Sequence, residues 1–181
     1  MLRLPFVPPP YPDEILGSWL ARIRLYNGPQ AWRSLFEKAT RVRTAPRFLY
    51  DIPQYSYFNY QLFTSLEIDY EEVLVNLTTL PYRLTFDAAE STAGNLLGTK
   101  SLPKLYTGAN VISSNLRRVL QSGPKEVGIR YCPTCLKSDH IIFGEPYWHR
   151  THQLPNMLYC HLHSVRLRTG CPKCMKIMLF P

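Results

Sequence analysis

At 181 residues, 45% of them apolar, the chain is long enough for one mid-sized domain or two small ones, with surface to bury in a core. Its net charge of +8 is unevenly placed: residues 1–100 balance ten basic side chains against ten acidic ones, while residues 101–181 set eleven Lys or Arg against only Glu126, Asp139 and Glu145. No apolar run approaches the ~20 residues that cross a bilayer, and the opening residues lack the apolar stretch of a secretory signal, so neither a membrane partner nor export is expected.

The first eleven residues read as an extended arm, because Pro8, Pro9, Pro10 and Pro12 favour polyproline geometry and offer few donors. A helix is predicted from Pro12, with Pro12 at its first position and Asp13 and Glu14 in its first turn beside the helix dipole. Ile15, Leu16, Trp19, Leu20 and Ile23 form its apolar face, and Asn27-Gly28-Pro29 ends it. A second helix over 30–40 carries Ala31, Trp32, Leu35, Phe36 and Ala39 on one side. From Arg22 to Arg47 the chain holds seven basic residues against Glu37 alone, a surface suited either to solvent or to an acidic or phosphate-bearing partner. Trp19, Arg22 and Arg24 are the candidate partner contacts on these helices.

Residues 55–66 read as helix, 67–69 as a turn, and a further helix starts behind an Asp69/Glu72 capping box and runs through Val73, Leu74 and Leu77 towards Pro81. Two short helices joined this way have helix-turn-helix character. The second begins with Asp69, Glu71 and Glu72, which would repel phosphate, so it is a poor DNA-reading helix. Helical segments are expected over 87–97 and 110–121. Gly123-Pro124 marks a boundary between a helical domain, 1–123, and a zinc-binding module, 124–181. On that division, loss of the metal should unfold the chain after about residue 125 and spare the earlier helices.

All five cysteines fall in the last quarter of the chain. Cys132-Pro133-Thr134-Cys135 is followed after 24 residues by Cys160-His161-Leu162-His163, and then by Cys171-Pro172-Lys173-Cys174. A C-x-x-C pair aims two thiolates at one point, half of a tetrahedral zinc site, and C-x-x-H supplies the other half. The closed set is Cys132, Cys135, Cys160 and His163. His161 competes for the fourth place, but a ligand adjacent to Cys160 would strain the chelate loop. Disulfides would leave an odd thiol, a redox C-x-x-C belongs in a βαβ setting, and a hydrolase needs one exposed cysteine rather than a cluster. Four protein ligands leave no position for water, so the zinc is structural. Cys171 and Cys174 read as the opening half of a second site. Short strands are expected over 127–131, 157–159 and 165–168, with a helix or turn over 147–152, the order of a zinc ribbon or knuckle. His149 and His152 stand where they could pack or orient a ligand thiolate. No phosphate-binding Gly loop is present, so ATP hydrolysis is not encoded here, and no acidic triad of nuclease or transposase character stands out. The excess positive charge beside the zinc module points to nucleic acid, with Arg150, Arg166, Arg168, Lys173 and Lys176 as candidate contacts. The fold class is mainly α with a small α+β zinc module.

Two blocks resemble a known family. Pro10-Tyr11-Pro12-Asp13-Glu14-Ile15-Leu16-Gly17-Ser18-Trp19-Leu20-Ala21-Arg22 is similar to the N-terminal signature of the TniQ/TnsD proteins, target-selection factors of multi-component transposons. Arg130-Tyr131-Cys132-Pro133-Thr134-Cys135, Tyr147-Trp148-His149-Arg150-Thr151-His152-Gln153-Leu154-Pro155 and Cys160-His161-Leu162-His163 resemble their zinc region. The resemblance implies an N-terminal helical domain with helix-turn-helix character followed by zinc fingers, the second of them incomplete here. It also implies a non-catalytic adaptor in DNA transposition, working in a prokaryotic cytoplasm at the nucleoid. Such an adaptor links target DNA or a target-recognition complex, in some members a CRISPR effector with its guide RNA, to the AAA+ regulator TnsC. The alternative is a selector of the TnsD type that reads a DNA sequence unaided. Whether the chain forms a homodimer is left open.

Overall fold

The computed structural model describes residues 4–40, 63–64, 66–79, 81–82, 128–154 and 156–171. These residues are mostly helical: α1 (Leu16–Asn27), α2 (Pro29–Thr40), α3 (Tyr70–Leu77), α4 (Pro133–Phe143) and a 3-10 turn at Thr151–Gln153. Among the described residues, pairing between extended segments consists of the antiparallel bridges Glu14↔His149, Tyr131↔Arg168 and Tyr159↔Arg166. The helices expected over 87–97 and 110–121, and the boundary at 123–124, lie outside the described residues.

Helix α1 starts later than its sequence suggests. Pro12, Asp13 and Glu14 form a turn instead of a first helical turn, and Asp13 adopts a left-handed backbone, φ 57°. The cause is long-range. The Asp13 carbonyl accepts the Arg150 N–H at 2.7 Å, its carboxylate takes the Thr151 N–H at 3.1 Å and the Thr151 hydroxyl, and the Ile15 N–H donates to the Trp148 carbonyl at 2.9 Å. Glu14 folds back to accept the Tyr11 N–H at 2.9 Å and the Ser18 hydroxyl at 2.9 Å. At the start of α1 the N-cap Ile15 has no capping side chain, and its N–H is satisfied by the far end of the chain. At the other end the expectation holds: α1 stops at Asn27, and Gly28 has φ 80°, where a side chain would be strained.

Ile15, Leu16, Trp19, Leu20 and Ile23 are buried, as their spacing predicts. Trp19 stacks on Phe63 with ring centroids 6.2 Å apart and donates its indole N–H to the Pro8 carbonyl at 2.7 Å. The arm therefore lies along α1. Its Phe6 main chain exchanges hydrogen bonds with the Asn27 side chain, and its ring meets Tyr26 edge-on. Helix α2 packs against α1 and buries Trp32.

The turn before α3 is built as read. Leu66, Glu67 and Ile68 close back onto Phe63 and Thr64 through main-chain hydrogen bonds, and Glu67 takes the left-handed conformation, φ 60°. This is a helix stop of the Schellman type. The Asp69 carbonyl then accepts the Val73 N–H as α3 begins, and Val73, Leu74 and Leu77 are buried. Most of the helix expected over 55–66 lies outside the described residues, so only this turn and α3 represent the helix-turn-helix reading.

Candidate metal centre

The first C-x-x-C does not sit on a free turn. Cys132 is the extended N-cap of α4, Pro133 occupies its first position, and Cys135 lies in its first turn. Proline there loses no intrahelical hydrogen bond. The helix ends at Gly144, whose left-handed φ of 83° lets its N–H return to the His140 carbonyl at 3.1 Å. The second pair comes from a tight hairpin. Cys160 N–H donates to the Val165 carbonyl and Ser164 N–H to the Cys160 carbonyl, each at 2.8 Å, and this turn presents Cys160 and His163 to the same point. A reciprocal main-chain pair, Tyr131 with Arg168 at 2.9 Å in both directions, fixes the helix start against the hairpin.

The Sγ atoms of Cys132, Cys135 and Cys160 and a ring nitrogen of His163 all lie within 4.8 Å of one another and could hold a metal ion. The Nδ1 of His163 is 3.7, 3.3 and 3.6 Å from the three sulfurs in chain order, and Cys135 and Cys160 sulfurs are 3.6 Å apart. A tetrahedron with sulfur at ~2.3 Å and nitrogen at ~2.0–2.1 Å from a central ion has edges of about 3.5–3.8 Å. The fit is good. All three cysteines are buried, and none is in a disulfide. His161, the competitor for the fourth place, is exposed and outside the set.

Electrostatics favours a cation here. Burial raises the Cys132 thiol, but the N–H groups of Thr134 and Cys135 at the helix start and the neighbouring sulfurs outweigh it and lower its pKa. Burial and the same neighbouring sulfurs push Cys135 strongly up. Three thiolates this close repel one another unless positive charge stands between them.

Around the cluster runs a polar shell that the sequence does not reveal. Arg130 donates its guanidinium to the Met157 and Leu154 carbonyls at 3.0 and 2.8 Å. The Gln153 amide pairs with the Arg130 main chain in both directions, at 3.0 and 2.7 Å. His149 pairs with Asp139 at 2.9 Å and lies 3.7 Å from Asp13. Burial alone would lower the His149 pKa, but the two aspartates raise it. Burial would raise Asp13, but His149, Thr151 and Arg150 hold it below the ordinary carboxylate range. His152 is fully buried, with Nε2 3.8 Å from the Cys135 sulfur.

A second network lies along the same seam, the line where residues 11–22 meet residues 145–151. Arg22 is buried, donates to Glu14 at 2.7 Å and to Glu145 at 2.8 Å, and stacks 3.5 Å above the Tyr11 ring. Glu145 also accepts the Tyr11 and Tyr26 hydroxyls. Burial raises Glu14 despite its donors; Glu145, where burial is outweighed by Tyr26, Arg22 and Tyr11, is lowered. The sequence carried one hint: of three acids among the last 81 residues, Asp139 and Glu145 are spent inside rather than balancing surface charge.

Several candidate contacts change meaning. Trp19 and Arg22 are buried, so neither side chain is presented to a partner; they are drawn inward by the Pro8 carbonyl and by Glu14 and Glu145, and only Arg24 of that trio is exposed. Arg150 is spent internally as well, reaching Asp13 at 3.4 Å and the Val75 carbonyl at 2.7 Å. Arg166 and Arg168 are exposed on the hairpin. Cys171 lies outside the four-residue cluster, and Lys173, Cys174 and Lys176 are outside the described residues.

No helix among the described residues is long and apolar enough to cross a membrane. No curated protein matches the chain. The TniQ family description matches it over residues 5–167, taking in the arm, α1 and all four residues of the cluster. With nearly the whole length matched and both interlocking halves of the seam inside that span, the chain belongs to the TniQ family, whose role is target selection in transposition.

Proposed function

We propose that this chain is a non-catalytic adaptor that joins target DNA, or a complex that has recognised the target, to the AAA+ regulator TnsC of a transposon. The observation that carries the reading is the TniQ match over residues 5–167, which spans the arm and the metal cluster together. The ion is zinc: three thiolates and one imidazole at tetrahedral spacing form a closed donor set that suits it. Its part is structural, holding the start of α4 to the hairpin, and a second zinc half-site at Cys171 and Cys174 would extend the module. Arg166 and Arg168, exposed on a stretch from 156 to 171 that contains no acidic residue, suit contact with phosphate. Arg24 and the outer surface of the first helices suit a protein partner, and α3 with its acidic start suits protein contact better than a DNA groove.

The test is a binding series with the purified full chain, TnsC, and target and scrambled DNA. The adaptor reading expects TnsC capture, and DNA binding that weakens steeply with salt without a preferred sequence. A preference of ~10³-fold or more for one sequence, with no TnsC capture, would replace it with the unaided selector.

A further inference from the structure

His152 is fully buried and sits in the 3-10 turn at Thr151–Gln153. That turn is fixed on both sides: Thr151 holds Asp13, and the Gln153 amide holds the Arg130 main chain and the His149 carbonyl. On one face its ring packs against His149, with centroids 4.9 Å apart. Among the described residues, the polar contact of the ring is Nε2 to the Cys135 sulfur, 3.8 Å away. A neutral imidazole carries one N–H, and a buried N–H needs an acceptor. The sulfur is the acceptor in reach. Cys135 is also the crowded member of the cluster, with the Cys160 sulfur at 3.6 Å and His163 Nδ1 at 3.3 Å.

We propose that His152 is an outer ligand of the metal centre, protonated on Nε2 and donating that N–H to the metal-bound Cys135 sulfur. The inference concerns the metal centre and does not depend on the transposition reading. The bond withdraws charge from the most crowded thiolate and fixes its direction towards the ion. Because His152 is carried on the turn that Asp13 grips, it also ties the orientation of a ligand to the docking of the N-terminal segment. His152 acts through Cys135 and so is a positioning residue.

The experiment uses the full chain loaded with zinc, and with cobalt as a spectroscopic substitute. His152→Phe keeps a ring of similar shape and deletes the donor; His152→Gln restores an N–H close to the position of Nε2. The Phe variant should bind zinc about 10–100-fold more weakly in chelator competition, the usual loss when an outer-shell partner is removed. Its cobalt–thiolate charge-transfer band should also move to lower energy, and the Gln variant should recover most of both. Parent-like affinity and spectrum in the Phe variant overturn the proposal, and so does an equal loss in both variants, which would mean packing alone. If the Phe variant does not fold, imidazole nitrogen spectra of the parent decide the matter. A proton on Nε2 supports the proposal; a proton on Nδ1, or Nε2 bound directly to the metal, overturns it.

Discussion

The metal cluster and the polar seam beside it hold the same molecule together in opposite ways. The cluster draws on residues 132–163, at most 31 apart, and its geometry is set by two short chelate loops. The seam joins residues 11–22 to 145–151, more than 120 positions apart, through Asp13, Glu14, Arg22, Glu145 and Thr151. One gathers three sulfurs and a ring nitrogen closely enough to hold an ion between them. The other sets buried Arg22 against buried Glu14 and half-buried Glu145, and buried His149 against half-buried Asp13 and buried Asp139. The contrast shows that the metal module does not satisfy its own polar groups on the side facing α1: its Trp148 carbonyl, Arg150 N–H and Glu145 carboxylate find their partners in the N-terminal segment.

The largest expected effect comes from removing the ion. Structural zinc contributes on the order of 10 kcal/mol to ordering such modules, so chelation or Cys132→Ser should unfold residues 128–171. The seam sharpens this expectation beyond the two separable units that the sequence suggests. Amide exchange at Ile15, whose N–H is held by Trp148, should accelerate together with that of Tyr131 and Cys160. Protection at Ile15 unchanged in the metal-free protein would show the seam to be passive.

Next in size is the buried ion pair. Arg22→Ala strands Glu14, which is fully buried, and should cost about 3–5 kcal/mol in denaturant unfolding. Arg22→Ala paired with Glu14→Gln should cost less than the single change, since the fully buried carboxylate is no longer left without its cation and the remaining one, Glu145, is partly exposed. Asp13→Ala leaves the Thr151 N–H and hydroxyl without their acceptor and removes a partner of His149, for about 1–3 kcal/mol.

A smaller effect should follow pH. His149 has its folded pKa raised above 6.5, so its stabilisation is complete below that value and fades as pH rises through the folded value. Asp13 is lowered, so its share is present above the ordinary carboxylate value near 3.8 and is lost in acid as pH falls through its folded value. The pair is therefore strongest between those limits. His149→Asn should destabilise the metal-loaded protein more at pH 6 than at pH 8; an equal loss at both would mean that its charge plays no part. The least effect on stability belongs to Arg166→Ala and Arg168→Ala, expected within about 0.5 kcal/mol of the parent for exposed side chains. Each should nevertheless lower the salt dependence of DNA binding by about one unit of slope.

The sequence by itself determined whatever depends on near neighbours. The spacing of Cys132, Cys135, Cys160 and His163 singled out the four side chains that the fold brings together as a set able to hold a metal ion, because a chelate loop of two residues between ligands leaves little geometric choice. The apolar period of Ile15 to Ile23 named the buried face of α1, and Gly28 its end. Tertiary structure decided the rest. Pro12 and Asp13 have good helix-start chemistry, yet contacts with Arg150 and Thr151 hold them in a turn. Arg22 and Arg150 read as surface cations until their acceptors, Glu145 and the Val75 carbonyl, arrive from more than 70 residues away. Local propensity is worth tenths of a kcal/mol to about one per residue, whereas a buried charge left without its partner costs several. Where the two compete, the distant partner decides, and nothing in a local window of sequence shows which partner that is.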